Sequence, residues 1–211
     1  MTIQFRQAGQ KYSVKTEKVI SLLLLPALTV ALCFTVSCNR GPTEVNGPID
    51  AGNPKAAAEK VAEADGLYAK REDLDQARQA LALLRQARTQ DYGSYDIAWK
   101  LSRSAYYVGD HTPNEDERDA AFKEGIESGE HAVKLQDGKP EGHFWLGANY
   151  GGSAKNSTLS NLSSVEDIRR EMSAVLKLDE GFQSGSAYLG LGQLYLQAPR
   201  MLGGDKQKAI D

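Results

Sequence analysis

The chain has 211 residues, of which 41% are hydrophobic and 25% are charged, as in an ordinary soluble protein of one or two domains. Its formal net charge is −3. This charge argues against a protein that binds nucleic-acid phosphates, because such proteins normally carry a basic excess or a basic patch.

Residues 1–37 are predicted to be an export signal rather than part of the fold. The signal begins with basic side chains: Arg6, Lys11, Lys15 and Lys18. An apolar run follows at residues 19–32, and then Thr-Val-Ser directly before Cys38. A short apolar run before small residues and a cysteine resembles a bacterial lipoprotein signal, which predicts lipid attachment at Cys38. The alternative is an uncleaved transmembrane anchor over residues 19–37, although Pro26 interrupts that stretch.

Cleavage before Cys38 removes Cys33, four basic residues and Glu17, so the net charge of the mature chain is (25 − 4) − (28 − 1) = −6, and no free thiol is left for a disulfide or a metal site. Acyl chains would then hold this acidic body at the membrane. In bacterial lipoproteins, an aspartate directly after the lipidated cysteine is associated with retention in the inner membrane. The resemblance therefore implies the outer membrane for this chain, which has Asn39 at that position. The predicted location is therefore the periplasmic side of a bacterial cell envelope, with residues 38–53 as the lipidated cysteine and a Gly- and Pro-rich flexible tether.

Residues 54–211 are predicted to form one helical domain, and capping residues mark where its first four helices begin. Asn53-Pro54 and Ser94 start the first and third helices. Asp73 with Gln76 resembles a capping box for the second helix, and Thr112-Pro113 with Glu115 does so for the fourth.

The later elements are predicted from the apolar spacing. The fifth helix starts at Pro140 and ends in a polar loop at residues 151–164, after which Ser164 with Asp167 caps the sixth. A seventh helix spans residues 186–197. An eighth would open at Lys206, so the last hairpin is incomplete: either the sequence is a fragment or a partner completes the array.

One spacing recurs four times in this domain. The positions are Val61/Ala64/Asp65/Tyr68, Trp99/Ser102/Arg103/Tyr106, Leu146/Gly147/Tyr150 and Leu191/Gly192/Tyr195. They fit the tetratricopeptide frame W-x2-L-G-x2-Y, in which a small residue lets a second helix approach closely. The four tyrosines lie 38, 44 and 45 residues apart, more than the regular 34. The predicted fold is therefore all-α: tetratricopeptide-like antiparallel hairpins stacked in a right-handed array, with inserted loops.

The second half of the chain carries a more particular resemblance. The segments K-P-E-G-H-F-W-L-G-A-N-Y-G-G and G-S-A-Y-L-G-L-G-Q-L-Y-L-Q-A-P-R-M-L-G-G-D-K-Q-K-A resemble the lipid-anchored T-component proteins of tripartite ATP-independent periplasmic (TRAP) transporters. The resemblance covers residues 95–211 well and residues 54–94 loosely. It implies a homo-oligomeric periplasmic lipoprotein that docks a solute-binding protein and assists transport of a small ligand.

In tetratricopeptide arrays the first helix of each hairpin lines a groove for a partner. On this frame the predicted groove residues are Lys100, Ser104, Tyr107, Glu141, Phe144, Gln193 and Gln197. Polar side chains mixed with an aromatic suit a protein partner. The alternative for Tyr107 and Phe144 is that they pack in the core between repeats.

Catalytic and metal-binding motifs are absent from the sequence. The histidines His111, His131 and His143 do not form an H-x3-H pair, and Gly151-Gly152 lacks a phosphate-loop frame. No G-x-S-x-G elbow occurs. We therefore expect no catalytic residues, no metal and no cofactor.

The sequence favours a non-enzymatic, lipid-anchored scaffold for protein–protein interaction, accessory to a TRAP-type transporter. Its expected partners are a periplasmic solute-binding protein, the membrane through the lipid anchor, and further copies of itself, but not nucleic acid. Two alternatives stay open: a carrier of a small apolar ligand, and an assembly lipoprotein for outer-membrane machinery.

Overall fold

The computed structural model describes residues 52–156 and 161–210. Seven α-helices occupy most of these residues: α1 (Pro54–Tyr68), α2 (Leu74–Gln90), α3 (Tyr95–His111), α4 (Glu115–Leu135), α5 (Pro140–Asn156), α6 (Asn161–Leu178) and α7 (Ser186–Gln197). Two short 3-10 helices flank α7, at Phe182–Ser184 and Arg200–Leu202. The described residues contain no β-strand, so the prediction of an all-α fold is confirmed.

The predicted starts of α5 at Pro140 and α7 at Ser186 are confirmed, and so are three predicted N-caps. The Asn53 side chain accepts a hydrogen bond from the backbone N–H of Ala56 at 3.0 Å, and Pro54 is the first residue of α1. The Ser94 hydroxyl accepts one from Ile97 in the same way. Asp73 caps α2 through the N–H of Asp75 at 2.9 Å. These side chains satisfy backbone donors that have no partner inside the helix.

The predicted start of α4 is wrong by two residues. The cap is Asn114, whose side chain accepts from the N–H of Glu117 at 2.9 Å. Thr112 instead ends α3, and its hydroxyl donates to the Glu117 carboxylate. Asn and Thr are both good capping residues, and the competing bond to Glu117 decides between them.

The predicted loop at residues 151–164 is also wrong, because α5 continues to Asn156 and α6 already begins at Asn161. Gly151 and Gly152 are helical residues rather than loop residues. A Cβ atom added to Gly152 would lie 2.2 Å from the Phe122 ring, so this glycine permits a close helix contact. The predicted eighth helix is absent, since residues 206–210 form only turns.

Consecutive helices pack in antiparallel pairs, as their short connections require. The pairs are α1 with α2, α3 with α4 and α5 with α6, and each pair packs on the next; α3 also contacts α5, and α7 packs on α6. The predicted array of helical hairpins is therefore present in the described chain.

The core between the first two hairpins consists largely of alanine. Its small members are Ala57, Ala64, Ala77, Ala80, Ala87, Ala105 and Ala121. Leu84 and Leu101, which are 1% and 0% exposed, fill the space between them. Small residues let the helix axes approach closely, so a few large side chains suffice to exclude water.

Ion pairs fix the register of the first two hairpins. On α2, Arg78 and Arg85 reach Glu117 and Glu124 of α4 at 2.7 and 2.6 Å. The two arginines are seven residues apart, and so are the two glutamates. The hydrogen bonds from Arg78 and Thr112 lower the pKa of Glu117 to about 2. Because partly exposed pairs add little free energy, their main effect is on alignment.

A buried polar contact joins the second hairpin to the third. Asn149 of α5 has no exposed surface, and its amide nitrogen donates to the Ser102 carbonyl at 3.0 Å. The Ser102 hydroxyl in turn donates to the Gly125 carbonyl at 2.8 Å. A Cβ atom added to Gly125 would lie 2.0 Å from the Asn149 side-chain oxygen, so α4 needs glycine at this position.

A buried ion pair joins α5 to α6. Nδ1 of His143 lies 2.6 Å from Oε2 of Glu171, and Nε2 lies 2.8 Å from the Asp137 carbonyl. Both ring nitrogens face oxygen atoms that can accept hydrogen bonds, so this arrangement favours the doubly protonated, positively charged imidazole. The hydrogen bond to Glu171 raises the pKa of His143. Burial pushes the pKa of Glu171 upward, but the hydrogen bonds from His143 and Arg170 outweigh burial, and that pKa is lowered.

We predict that Gly129→Ala destabilises the protein by about 1–3 kcal/mol, the usual range for overpacking. The added Cβ would lie 2.9 Å from Cα and Cβ of Leu146, so backbone atoms of α5 would have to move. Urea denaturation of the purified domain measures the change as a lower midpoint.

The matched control is Gly66→Ala in α1, where an added Cβ meets nothing within 4 Å. Alanine is the better helix former, so this variant should gain about 0.5–1 kcal/mol. If the two variants had the same urea midpoint, the close contact between α4 and α5 would not require glycine at position 129.

We also predict a pH-dependent contribution from His143. A raised folded-state pKa gives stabilisation that is complete below the unfolded value of about 6.5 and disappears as the pH rises through the folded value. The stability difference between wild type and His143→Gln should therefore be largest near pH 6 and shrink above it, as measured by urea denaturation at several pH values. His131→Gln is the control: burial lowers the pKa of His131, so its pH dependence should have the opposite sign.

Candidate functional site

A cavity of about 480 Å³ lies between α5, α6 and α7. It is open to solvent on one side. Most of the side chains around it are apolar or lack polar atoms: Phe144, Gly147, Ala148, Gly151, Gly152, Ala154, Val165, Ile168, Met172, Leu189, Gly190, Leu194, Ala198 and Pro199. A concave, mainly apolar space of several hundred Å³ has the size and character of a ligand site in proteins.

Small residues of α5 create this space. Gly147, Ala148 and Gly151 face it from one side of the helix, since residues three and four apart share a helical face. At Gly151 an added Cβ would meet nothing nearer than Cδ1 of Ile168 at 4.0 Å. This is an ordinary contact distance, so a small side chain at this position would touch the α6 wall of the cavity without a clash.

The inner wall of the cavity is closely packed. A Cβ atom added to Gly147 would lie 2.8 Å from Cε of Met172, so α5 and α6 are in direct contact there. Ile168 and Met172 of α6 are 7% and 4% exposed. On the α5 side, the Phe144 ring packs against Phe182 with centroids 5.5 Å apart. The wall is thus held by a small core of its own.

The rim of the cavity is polar. Gln193 and Gln197 lie one turn apart on the exposed part of α7, and Ser186 lies at the start of that helix. Lys155, near the end of α5, is exposed and makes no ion pair with any described residue. Burial raises the pKa of Tyr106, so its phenol stays neutral. The rim therefore offers amide groups and one ammonium group around an apolar interior.

Three of the seven predicted groove residues line this cavity: Phe144, Gln193 and Gln197. Glu141 lies at the other end of α5 and accepts a hydrogen bond from the Tyr95 hydroxyl at 3.0 Å. The remaining predicted positions are on α3, so the structure does not bring all seven to one place.

The three residues on α3 differ in their surroundings. Lys100 pairs with Asp65 at 2.6 Å and with Asp96 at 2.9 Å. Ser104 is completely buried, so it has no surface to offer a partner. Tyr107 is half-buried beside the core of the first two hairpins.

Sequence reasoning missed the small residues and the α6 side chains of the cavity. The signal was present as Gly147, Ala148, Gly151 and Gly152 within six residues. Gly147 was interpreted as the small position of the repeat frame, and Gly151-Gly152 as the start of a loop. Ile168 and Met172 belong to the predicted sixth helix, but their sequence does not show that the facing helix leaves room beside them.

The histidines do not gather into a metal site. His111 stacks on Tyr107 with centroids 3.9 Å apart, His131 stacks on Tyr92 at 4.1 Å, and His143 pairs with Glu171. Among the described residues, no three His, Cys, Asp or Glu side chains are placed to hold a metal ion.

The predicted membrane anchor cannot be compared with the structure. No helix in residues 52–156 or 161–210 combines the length and the apolar character needed to cross a bilayer. Cys38, the signal segment and most of the tether lie outside the described residues, so lipid attachment at Cys38 stays a prediction.

Comparison with models of protein families matches residues 60–192, more than half of the chain, to the family described as "Regulator of microtubule dynamics protein 1-3". No curated protein matches the sequence. The predicted membership of the TRAP transporter T-component family is therefore wrong, and so is the classification as a TRAP transport lipoprotein. The motifs behind that prediction are marks of helical hairpins in general. The chain belongs to the family of regulator of microtubule dynamics proteins 1-3.

Proposed function

We propose that this protein is a non-enzymatic carrier that holds the apolar part of a small amphiphilic molecule in the cavity between α5, α6 and α7. The observation that carries the proposal is the cavity itself, a space of about 480 Å³ lined mainly by apolar residues. Protein interiors are otherwise close-packed, and unfilled apolar volume destabilises a fold. A ligand that enters this space would recover the lost contacts.

The polar rim supports an amphiphilic ligand rather than a hydrocarbon. An apolar body could lie against Phe144, Ile168 and Met172 while its polar end meets Gln193, Gln197 or Lys155 at the solvent side. A few polar groups around an apolar interior orient a ligand without taking part in chemistry.

Binding without catalysis is consistent with the chemistry of the lining. The described residues around the cavity include no His, Cys, Asp or Glu. The hydroxyls of Tyr106 and Ser186 therefore have no described imidazole or carboxylate in the cavity lining to act as the base that commonly activates a nucleophile.

A second candidate is a scaffold that binds a partner protein, as the sequence first indicated. The family description supports it, because it names regulators of microtubule dynamics and such regulation depends on contact with other proteins. Both roles can coexist in one array, since the cavity is lined mainly by α5, α6 and α7.

We predict that Gly151→Leu blocks the cavity without unfolding the protein. Gly151 lines the cavity, an added Cβ would make only an ordinary contact with Ile168 at 4.0 Å, and leucine favours helix more than glycine does. Native mass spectrometry of the freshly purified proteins should show a small bound molecule on wild type and little or none on the variant. Thermal melting should show that the variant is at least as stable as ligand-free wild type.

Gly66→Leu is the matched control, because it places the same side chain on α1, away from the cavity. It should retain the ligand. Equal occupancy in Gly151→Leu and wild type, or a wild type without any bound molecule, would contradict the carrier role. A bound protein in place of a small molecule would support the scaffold.

A further inference from the structure

A second surface lies on α1, α3 and the turn after α1, away from the cavity. Rings and guanidinium groups alternate along it in the order Trp99, Arg103, Tyr68, Arg71 and Tyr107, and the His111 ring stacks on Tyr107. The Arg103 guanidinium lies 3.9 Å from the centroid of the Tyr68 ring and 5.0 Å from that of Trp99. We call these six residues the cation–aromatic face.

The second half of this face is built around Arg71. Its guanidinium lies 4.8 Å from the Tyr68 ring and 5.5 Å from the Tyr107 ring. The two tyrosine rings meet edge to face with centroids 6.0 Å apart. Arg71 therefore sits against two rings that hold each other in place.

The two arginines differ in their charge partners. Nη2 of Arg103 donates to Asp65 at 3.1 Å, and Asp65 also accepts from Lys100. Arg71 donates to the backbone carbonyl of Tyr68 at 3.3 Å and forms no ion pair with a described residue. Arg71 is thus the positive charge on this face that no described carboxylate balances.

The composition of the face is typical of a protein interface. Tyr, Trp and Arg are the residue types that dominate binding energy in protein contacts. Tyr68, Arg71, Trp99 and Tyr107 are all half-buried, so each is held by its neighbours while part of it remains accessible. A pre-ordered guanidinium loses less entropy when it binds a carboxylate.

We propose that the cation–aromatic face binds an acidic peptide segment of a partner protein. A glutamate or aspartate side chain pairs with the outward edge of the Arg71 guanidinium, and the peptide lies over the exposed parts of Tyr107 and Trp99. Nucleic acid is a poor alternative: one unbalanced arginine on a chain of net charge −3 does not match a run of phosphates.

The test uses a fluorescein-labelled peptide of eight alternating glutamates and glycines, with fluorescence anisotropy at 50 mM salt as the readout. Wild type should bind this peptide and should not bind the same peptide with glutamine in place of glutamate. Arg71→Gln should weaken binding roughly tenfold, as expected for loss of a hydrogen bond between two charged groups. Arg71→Lys keeps the charge but loses the planar fork, so its affinity should fall between the two.

Two variants separate this surface from other effects. Arg85→Gln removes an arginine of α2 that pairs with Glu124 of α4. This variant should change the affinity for the peptide less than twofold. Gly151→Leu, which closes the cavity, should bind the peptide as wild type does. The proposal is overturned if wild type fails to bind at 50 mM salt, if the glutamine peptide binds equally well, or if Arg71→Gln binds as tightly as Arg85→Gln.

Discussion

Close approach of helices at glycine is the constraint on which this structure depends. The ring of Phe122 on α4 shows it most clearly, because it lies between a glycine of α3 and a glycine of α5. A Cβ atom at Gly109 would come within 2.9 Å of the ring, and one at Gly152 within 2.2 Å. Phe122 is only 2% exposed as a result. Three helices from two hairpins thus converge on one aromatic side chain.

Glycines on α5 lie against closely packed side chains in one place and beside the cavity in another. Where a glycine faces a large side chain, as Gly152 faces Phe122, the helices close completely. Where it faces a more distant side chain, as Gly151 faces Ile168, an added Cβ would make only an ordinary contact at 4.0 Å. Adjacent residues of α5 therefore differ in their surroundings, although both contribute to the cavity lining.

Local signals made much of the fold predictable. Caps such as Asn53 and Ser94 act within one turn, so the sequence alone identifies them. The boundary errors arose where two local signals competed, at Thr112 and Asn114, or where glycines that serve a distant contact looked like loop residues, at Gly151 and Gly152. Resolving either case requires knowing which residues of another helix lie opposite.

One position of the repeat frame, the one that usually holds a small residue, is used in two different ways. At Gly147 the small residue admits α6, as the frame predicts, with Met172 and Glu171 against it. In the first two copies the same position holds Asp65 and Arg103, and these two form an ion pair across neighbouring hairpins at 3.1 Å. A charged pair at equivalent positions aligns one repeat with the next, and it also orders the arginine that Tyr68 and Trp99 flank.

The candidate sites were less predictable than the fold for a related reason. Phe144, Gln193 and Gln197 were identified by their place in the repeat frame. The cavity also depends on neighbouring residues that lack large side chains, such as Gly147 and Gly151. Arg71 lies in a turn outside the frame, so no periodic pattern indicated it. Its importance follows from the rings of Tyr68 and Tyr107, which come together only in three dimensions.

The most direct measurement is a crystal structure of the ligand-free protein under xenon pressure, because xenon enters apolar cavities that are accessible and not filled by protein atoms. The account predicts xenon density between Gly151, Ile168 and Met172. A cavity closed by rearranged side chains, or one occupied by ordered water instead of xenon, would contradict the claim that α5, α6 and α7 leave an apolar space for a ligand.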